Sequence, residues 1–168
     1  VLKSGGVIVY PTDTAYALGG IFNSVKVKNK ILKIKNRRDD KFTIIASSLN
    51  QMENFFKLSD QQRKIAKKHW PAALSVVVSP KYAVRVPKNE IAVKLSRLAG
   101  SPLIATSANL SGNATLYDSL KIIKEFKNKK NQPDLVIDFG RLKKIKTSTI
   151  VKVSKDNIDI LRQGSVRI

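Results

Sequence analysis

Short apolar segments separated by polar or basic ones recur along the chain and predict alternating strands and helices. Gly5-Gly6 precedes the apolar run 7–10, which predicts a buried strand that Pro11 ends or places at a sheet edge. A polar loop is predicted to begin at Thr12. Residues 25–35 then place apolar side chains at near-helical spacing between lysines, which predicts an amphipathic helix with a basic outer face.

The same pattern continues to the end of the chain. It predicts helices at 49–56, 59–69, 90–99 and 116–130, strands at 42–46, 74–78, 83–86, 103–106, 135–138, 149–153 and 158–161, and a turn over 154–157. Because helices and strands alternate and the last elements are strands, we expect an α/β fold with a twisted, mostly open mixed sheet flanked by helices. A length of 168 residues fits one domain, which we expect to span residues 1–168.

The charge is strongly positive, with 32 Lys and Arg against 12 Asp and Glu, a formal net charge of +20. Such a field attracts polyanions and supplies the sequence-independent part of nucleic-acid affinity. RNA, nucleotides and acidic lipids all fit this charge, and lysines on solvated helix faces account for it equally well. Five lysines within 121–130 and four basic residues within 141–146 leave the same two alternatives, RNA contact or a solvated face.

The residue types that are absent exclude several kinds of chemistry. Without cysteine there is no disulfide, thiolate nucleophile or cysteine metal site, and an intracellular, cytoplasmic protein is expected. No apolar run is long enough to span a bilayer, so no membrane association is expected. The single histidine, His69, is predicted to cap or pack a helix end. Because Val1 lies close to the first strand, we expect native residues before it.

Polar segments interrupt the apolar pattern mostly at strand ends, where ligands usually bind in open α/β sheets. Lys35 and Arg37 suit a triphosphate, because lysine offers a mobile point charge and arginine a planar fork for two oxygens. No Walker A pattern is present, so a nucleotide would be bound by another device. The segments are 11–16, 35–37, 85–87, 107–109, and 148–149 with 162–164.

Taken in order, these segments resemble the YrdC/TsaC family. Residues 6–20 (GVIVYPTDTAYALGG) look like its opening signature, and Lys35, Arg37, Ser107 and Asn109 match its Lys-x-Arg and Ser-x-Asn hallmark. Further segments fall in the family's order, and the resemblance covers essentially the whole chain. These are 70–71, 83–87, 102–103, 107–112, 148–151 and 161–164.

The resemblance implies a YrdC-like fold with a basic concave face and the activity of an L-threonylcarbamoyladenylate synthase. Its substrates would be ATP, L-threonine and bicarbonate, with Mg²⁺ bound mainly through the ATP phosphates and no protein metal ligand named. The product would pass to a downstream threonylcarbamoyl-transferase complex for tRNA modification. The short, single-domain form is the closer match, because the extra C-terminal module of two-domain relatives is not seen in this sequence.

The resemblance also assigns residues to roles. It implies that Lys35 and Arg37 are catalytic and that the ATP site and the threonine site are formed by separate sets. The ATP set is Lys35, Arg37, Ser107, Asn109 and Arg162, and the threonine set is Thr12, Thr14, Arg85 and Ser148.

Some positions depart from the family pattern or allow another interpretation. Ala17 stands where glycine is usual, and Phe42-Thr43 and Ala72-Ala73 replace other common pairs, so we expect altered local loop geometry. Asp13 is expected to fix its turn through its own backbone bonds rather than bind metal. Asp39-Asp40 is expected to balance Arg37-Arg38.

Two rival functions are also compatible with this sequence. One is a noncatalytic double-stranded RNA or tRNA-binding, or ribosome-associated, module that kept the fold and its basic face. The other is a different adenylating or carbamoyl-transferring enzyme, because fold alone does not determine function.

Overall fold

The strands form two sheets, as seen in a computed structural model that describes residues 1–155 and 157–168. Within these residues the helices are α1 (Val25–Lys35), α2 (Leu49–Glu53), α3 (Asp60–His69), α4 (Glu90–Ala99) and α5 (Ser119–Phe126). The strands are β1 (Ile8–Pro11), β2 (Tyr16–Gly19), β3 (Phe42–Ile45), β4 (Leu74–Val77), β5 (Tyr82–Arg85), β6 (Leu103–Ile104), β7 (Thr106–Ser107), β8 (Leu135–Val136), β9 (Thr149–Val153) and β10 (Ile158–Arg162).

Both sheets mix parallel and antiparallel neighbours. The smaller has the order β7-β2-β1-β8, and the larger has the order β10-β9-β4-β5-β3-β6. In the larger sheet β3 runs parallel to β5 and antiparallel to β6, while β4 runs parallel to β9. The α/β fold with open mixed sheets and flanking helices is confirmed, whereas the expectation of one sheet is wrong.

The polar loop predicted from Thr12 is only a tight turn. The Thr12 amide donates to the Ala15 carbonyl at 3.0 Å, and the chain returns immediately as β2, antiparallel to β1. Tyr16 and Leu18, which the loop prediction had left outside any strand, are fully buried in the core. The sequence pattern missed β2 because its apolar residues directly follow a polar turn and end in Gly19-Gly20.

The two sheets meet where Gly19 of β2 crosses Ile104 of β6. A Cβ atom at Gly19 would lie 1.7 Å from the Ile104 carbonyl oxygen, so only glycine allows this approach. The Gly20 carbonyl accepts from the Ile104 amide at 2.8 Å, and the Tyr10 hydroxyl donates to the Ile104 carbonyl at 2.7 Å. This contact fixes the relative position of the two sheets.

Helix ends follow the caps present in the sequence. The Ser24 hydroxyl caps α1, and Asn36 follows its last residue with a left-handed φ of 50°. A Ser59–Gln62 capping box begins α3. The helix predicted over 116–130 is shorter because the Asp118 carboxylate caps it at Ser119, and it ends at Phe126.

Several other predicted bounds change. The helix predicted over 49–56 ends at Glu53, and the strand predicted over 135–138 contains only β8. In the turn predicted over 154–157, the Ser154 amide donates to the Asn157 carbonyl at 2.9 Å, and Asp156 lies outside the described residues. Among residues 1–155 and 157–168, no helix has both the length and the apolar character needed to cross a membrane.

Candidate functional site

A cleft of about 980 Å³ is lined by strands of both sheets and by the turns between them. Six of its lining side chains carry a positive charge, and no Asp or Glu is found among the described residues that line it. A cleft whose charged lining is entirely cationic favours anionic ligands. The cationic residues are Arg37, Lys41, Lys81, Arg85, Lys152 and Arg162.

Seven of the nine site residues predicted from the sequence line this cleft. They are Thr12, Thr14, Arg37, Arg85, Ser107, Ser148 and Arg162. The other two, Lys35 and Asn109, are buried behind the cleft wall. The structure thus brings together segments that are far apart in the sequence, and it separates two hallmark residues from the cleft surface.

Arg85, at the end of β5, is held by a buried ion pair with Asp13. Its Nη1 donates to Asp13 Oδ1 at 2.6 Å, and the two side chains are only 4% and 9% exposed. The second carboxylate oxygen of Asp13 accepts from the Lys88 amide at 2.9 Å. Arg85 Nη2 also lies 3.4 Å from the Thr14 hydroxyl, and its buried Nε has no partner among the described residues. Arg85 is therefore oriented with donor capacity left for a ligand.

The expectation for Asp13 is corrected by this arrangement. Its carboxylate bonds to Arg85 and Lys88 rather than to its own turn, which is closed by the Thr12 hydroxyl donating to the Ala15 carbonyl at 2.7 Å. The sequence carried one usable signal, a single acid between two threonines before an apolar strand. It could not identify Arg85 as the partner, because the two residues are 72 positions apart.

Ser148 and Arg162 form a second polar group in the cleft. Arg162 Nη2 donates to the Ser148 carbonyl at 2.7 Å and its hydroxyl at 2.9 Å, and Nε donates to the same carbonyl at 3.0 Å. Buried Ser75, which the sequence analysis missed, donates to the Ser148 hydroxyl at 3.3 Å. Burial lowers the pKa of Arg162, and the positive charge of Arg85 lowers it further. Two cations that line one cleft and repel each other favour an anion between them.

Gly164 explains why Arg162 can reach Ser148. A Cβ atom at Gly164 would lie 2.1 Å from the Thr147 carbonyl oxygen and 2.5 Å from the Ser148 carbonyl carbon. The chain that follows β10 therefore packs directly against the backbone that precedes β9. This close approach accounts for the glycine in the Arg-Gln-Gly motif.

Lys35 is the last residue of α1, and its ammonium points to residues 107–109 at the end of β7. Nζ donates to the Ser107 carbonyl at 2.6 Å, the Asn109 carbonyl at 2.8 Å and Asn109 Oδ1 at 3.3 Å. Burial, together with the smaller effect of the neighbouring Arg37 charge, lowers the pKa of Lys35 from its usual 10.5 to about 8.

This shift predicts a specific pH dependence of stability. Between pH 8 and 10.5 the unfolded chain binds more protons at Lys35 than the folded chain, so the free energy of unfolding rises with pH in this window. The rise should be on the order of 3 kcal/mol. Urea denaturation at pH 7.5 and 10.5 should show this rise in wild type, and Lys35→Met should lack it. An equal rise in both proteins would assign it to other groups.

Arg37 lies at the mouth of the cleft on the segment between α1 and β3. Its Nη2 donates to Asp39 Oδ2 and to the Lys41 carbonyl, both at 2.6 Å, and its guanidinium lies 5.5 Å from the centre of the Phe42 ring. The expected charge pairing of Asp39-Asp40 with Arg37-Arg38 is confirmed only for Asp39, which pairs with Arg37. Asp40 pairs with Lys81 at 2.5 Å instead.

Two departures from the family pattern lie in segments whose backbone is paired. Ala17 lies opposite Tyr10 and Ser107 in the smaller sheet and lines the cleft. The Ala72 amide donates to the Val86 carbonyl at 3.0 Å, and the Ala73 carbonyl accepts from the Thr149 amide at 2.9 Å, after a cis Trp70–Pro71 peptide. Both regions therefore take part in regular backbone pairing.

Known proteins resemble this chain over almost its whole length. Residues 1–164 match the family model for Sua5, YciO and YrdC proteins, described as telomere recombination. The chain is similar to a Methanocaldococcus jannaschii protein named as a candidate threonylcarbamoyl-AMP synthase, with 30% identity over 99% of this chain and 84% of that protein. It is also similar to the threonylcarbamoyl-AMP synthase of Pyrococcus abyssi, with 29% identity over 98% of this chain.

Solved structures show the same fold. The crystal structure of Pyrococcus abyssi Sua5 complexed with L-threonine is 28% identical with a TM-score of 0.85, and the match covers 97% of this chain and 52% of that one. The crystal structure of Escherichia coli YciO is 27% identical with a TM-score of 0.82, and the match covers 97% of this chain and 85% of that one. The chain thus spans about half the length of the Pyrococcus protein and most of the length of YciO.

Proposed function

The chain belongs to the Sua5/YciO/YrdC family, and from that premise we propose that it is an L-threonylcarbamoyladenylate synthase. It would make threonylcarbamoyl-AMP and pyrophosphate from L-threonine, bicarbonate and ATP, for threonylcarbamoyladenosine modification of tRNA by a downstream transferase complex. Relatives that carry the synthase name, and a relative solved with L-threonine, support this activity.

The observation that carries the proposal is the charged lining of the cleft, which is entirely cationic among the described residues. All three substrates carry negative charge, on the triphosphate, the threonine carboxylate and bicarbonate. The cleft offers two separately anchored arginines, Arg85 and Arg162, and a third at its mouth, Arg37. Arginine suits both kinds of ligand, because its planar fork binds carboxylate and phosphate oxygens in pairs.

In this proposal Arg85 binds the threonine carboxylate. Asp13 holds its guanidinium in place before substrate arrives, so little side-chain entropy is lost on binding. The Ser148 hydroxyl adds an orienting hydrogen bond, and Thr12 and Thr14 line the same part of the cleft. Their hydroxyls lie 3.1 Å apart, and the Thr12 hydroxyl closes the turn beside Arg85 by donating to the Ala15 carbonyl.

Arg37, Arg162 and Ser107 would then contact the ATP phosphates. The threonine amine condenses with bicarbonate to give a carbamate and water, and a carbamate oxygen attacks the α-phosphorus while the bond to pyrophosphate breaks. This reaction needs positioning and neutralisation of phosphate charge rather than a protein nucleophile. The cationic lining supplies that charge.

Mg²⁺ would arrive on the ATP phosphates. The described residues contain no cluster of three or more His, Cys, Asp or Glu that could hold a metal ion, and no described lining residue is a carboxylate. Magnesium commonly keeps several waters and is bound largely through substrate phosphates, so we propose an ion that enters with ATP.

Pyrophosphate release from ATP by the purified chain tests the proposal. With Mg²⁺ present, release should require both L-threonine and bicarbonate, because the carbamate is the nucleophile. Arg37→Ala should lower kcat/KM by about a hundredfold, since one charged contact to the transferring group is lost. Arg38→Ala, which changes the neighbouring arginine outside the cleft lining, should remain close to wild type.

Other results would point to other functions. Release that needs a different amine or acid would indicate another adenylating or carbamoyl-transferring enzyme. No release, with salt-sensitive binding to tRNA or double-stranded RNA, would favour the noncatalytic RNA-binding module, which the net charge of +20 also suits.

A further inference from the structure

The segment 107–111, which forms part of the cleft wall, is anchored to the end of α1. Lys35 Nζ donates to the Ser107 carbonyl at 2.6 Å and to the Asn109 carbonyl at 2.8 Å. The main-chain carbonyl of Lys35 accepts from the Ser111 amide at 3.0 Å. One residue therefore holds both ends of the segment, once through its side chain and once through its backbone.

The same segment is anchored from the other side by α5. Glu125 Oε1 accepts from Asn113 Nδ2 at 2.8 Å and lies 3.4 Å from the Leu110 amide. Asn109 Nδ2 donates in turn to the Asn113 carbonyl at 2.5 Å. Glu125 does not line the cleft, so it reaches the site only through this segment.

The donors of Lys35 are fully used in these contacts. An ammonium group has three N–H donors, and the Lys35 ammonium has three acceptors, namely the two carbonyls and Asn109 Oδ1. Its side chain is also buried and outside the cleft lining. A phosphate contact would require Lys35 to give up at least one bond to the segment and to leave its burial site.

We propose that Lys35, Asn109 and Glu125 are positioning residues, which hold segment 107–111 so that Ser107 faces the nucleotide phosphates. The inference rests on the proposed function for the nature of the ligand. It changes the role expected for Lys35 and Asn109, from ATP contacts to supports of the ATP contact. It also adds Glu125, which none of the motifs contains.

Steady-state kinetics with Glu125→Ala tests this role at a distance from the cleft. The KM for ATP should rise about tenfold, because loss of a charge-assisted bond loosens the wall that contacts the phosphates. The KM for L-threonine should stay within about twofold, because Arg85 and Ser148 are anchored independently of Glu125. Glu53→Ala, which removes an ion pair with Arg63 away from the cleft, should leave both KM values unchanged.

The double variant Lys35→Met/Glu125→Ala decides whether the two residues act through one element. The rise in its KM for ATP should be smaller than the product of the two single-variant rises, because both residues act on one segment. Fully multiplied effects, or an unchanged KM in Glu125→Ala, would overturn the inference.

Amide hydrogen exchange separates this inference from the proposed function. In the ligand-free chain, the amides of Leu110 and Ser111 should exchange faster in Lys35→Met and in Glu125→Ala than in wild type. If wild type showed no synthase activity, the proposed function would fail, and the exchange rates would still decide the anchoring. Unchanged exchange in both variants would overturn it.

Discussion

Replacing Arg85 with methionine is expected to lower the free energy of unfolding by about 3 to 5 kcal/mol, because the Asp13 carboxylate would stay buried without its charge partner. The pair is 2.6 Å apart, and Asp13 keeps one further bond, from the Lys88 amide. Methionine retains most of the length of the arginine stem, so loss of packing contributes little. Urea denaturation followed by circular dichroism measures the change.

Asp13→Asn/Arg85→Met is the matched control for this prediction. The neutral amide keeps an oxygen for the Lys88 amide and removes the unpaired charge, so most of the lost stability should return. Threonine-dependent pyrophosphate release should not return, because the proposed carboxylate anchor is still missing. A single variant within about 1 kcal/mol of wild type would show that the Asp13 charge is compensated in another way.

The second large effect is expected for Gly164→Ala. The new methyl group would lie 2.1 Å from the Thr147 carbonyl oxygen, closer than any real contact, so the backbone at 147–149 must move. We expect a loss of about 3 kcal/mol in unfolding free energy, at the upper end for overpacking. Threonine-dependent release should also fall, because Ser148 and its bonds to Arg162 move with that backbone.

Gly100→Ala provides the comparison for the backbone effect alone. Gly100 ends α4 with a φ of 69°, and nothing lies within 4 Å of a Cβ atom built there. The substitution should lower the free energy of unfolding by about 1 kcal/mol, because alanine is disfavoured in the left-handed conformation even without a steric clash. Threonine-dependent pyrophosphate release should stay unchanged. If Gly164→Ala cost no more than Gly100→Ala, the region around Thr147 would be more adaptable than its packing implies.

Local sequence signals predicted those elements whose ends and faces are encoded within a few residues. Helix α1 was predicted with its observed bounds from its apolar and lysine spacing alone, and the Ser24 cap and the Asn36 stop enclose the same residues. Helix α5 was predicted too long, because its apolar and lysine pattern runs past both the Asp118 cap and the end at Phe126. The hairpin strand β2 was missed, because it becomes a strand only through pairing with β1 on one side and β7 on the other.

In the candidate site, too, local sequence signals identified some features and missed those that depend on distant residues. The motifs identified which side chains could bind anions, and seven of the nine line one cleft. They could not show that Asp13 orients Arg85, or that Ser75 contacts Ser148, because these partners are 72 and 73 positions apart. Nor could they show that Lys35 lies behind the cleft wall, because the local sequence does not determine whether a lysine at a helix end points to solvent, to a ligand or to the backbone.

By itself, then, the sequence determined the α/β character, the basic charge, the main helices and strands, and a set of family motifs at strand ends. Each depends on spacing or composition that can be read within one segment. Only the tertiary structure decided the split into two sheets, the cleft between them and the partner of each charged group. Those features depend on which distant segments meet, and the free energy of burying a charge depends on what surrounds it after folding.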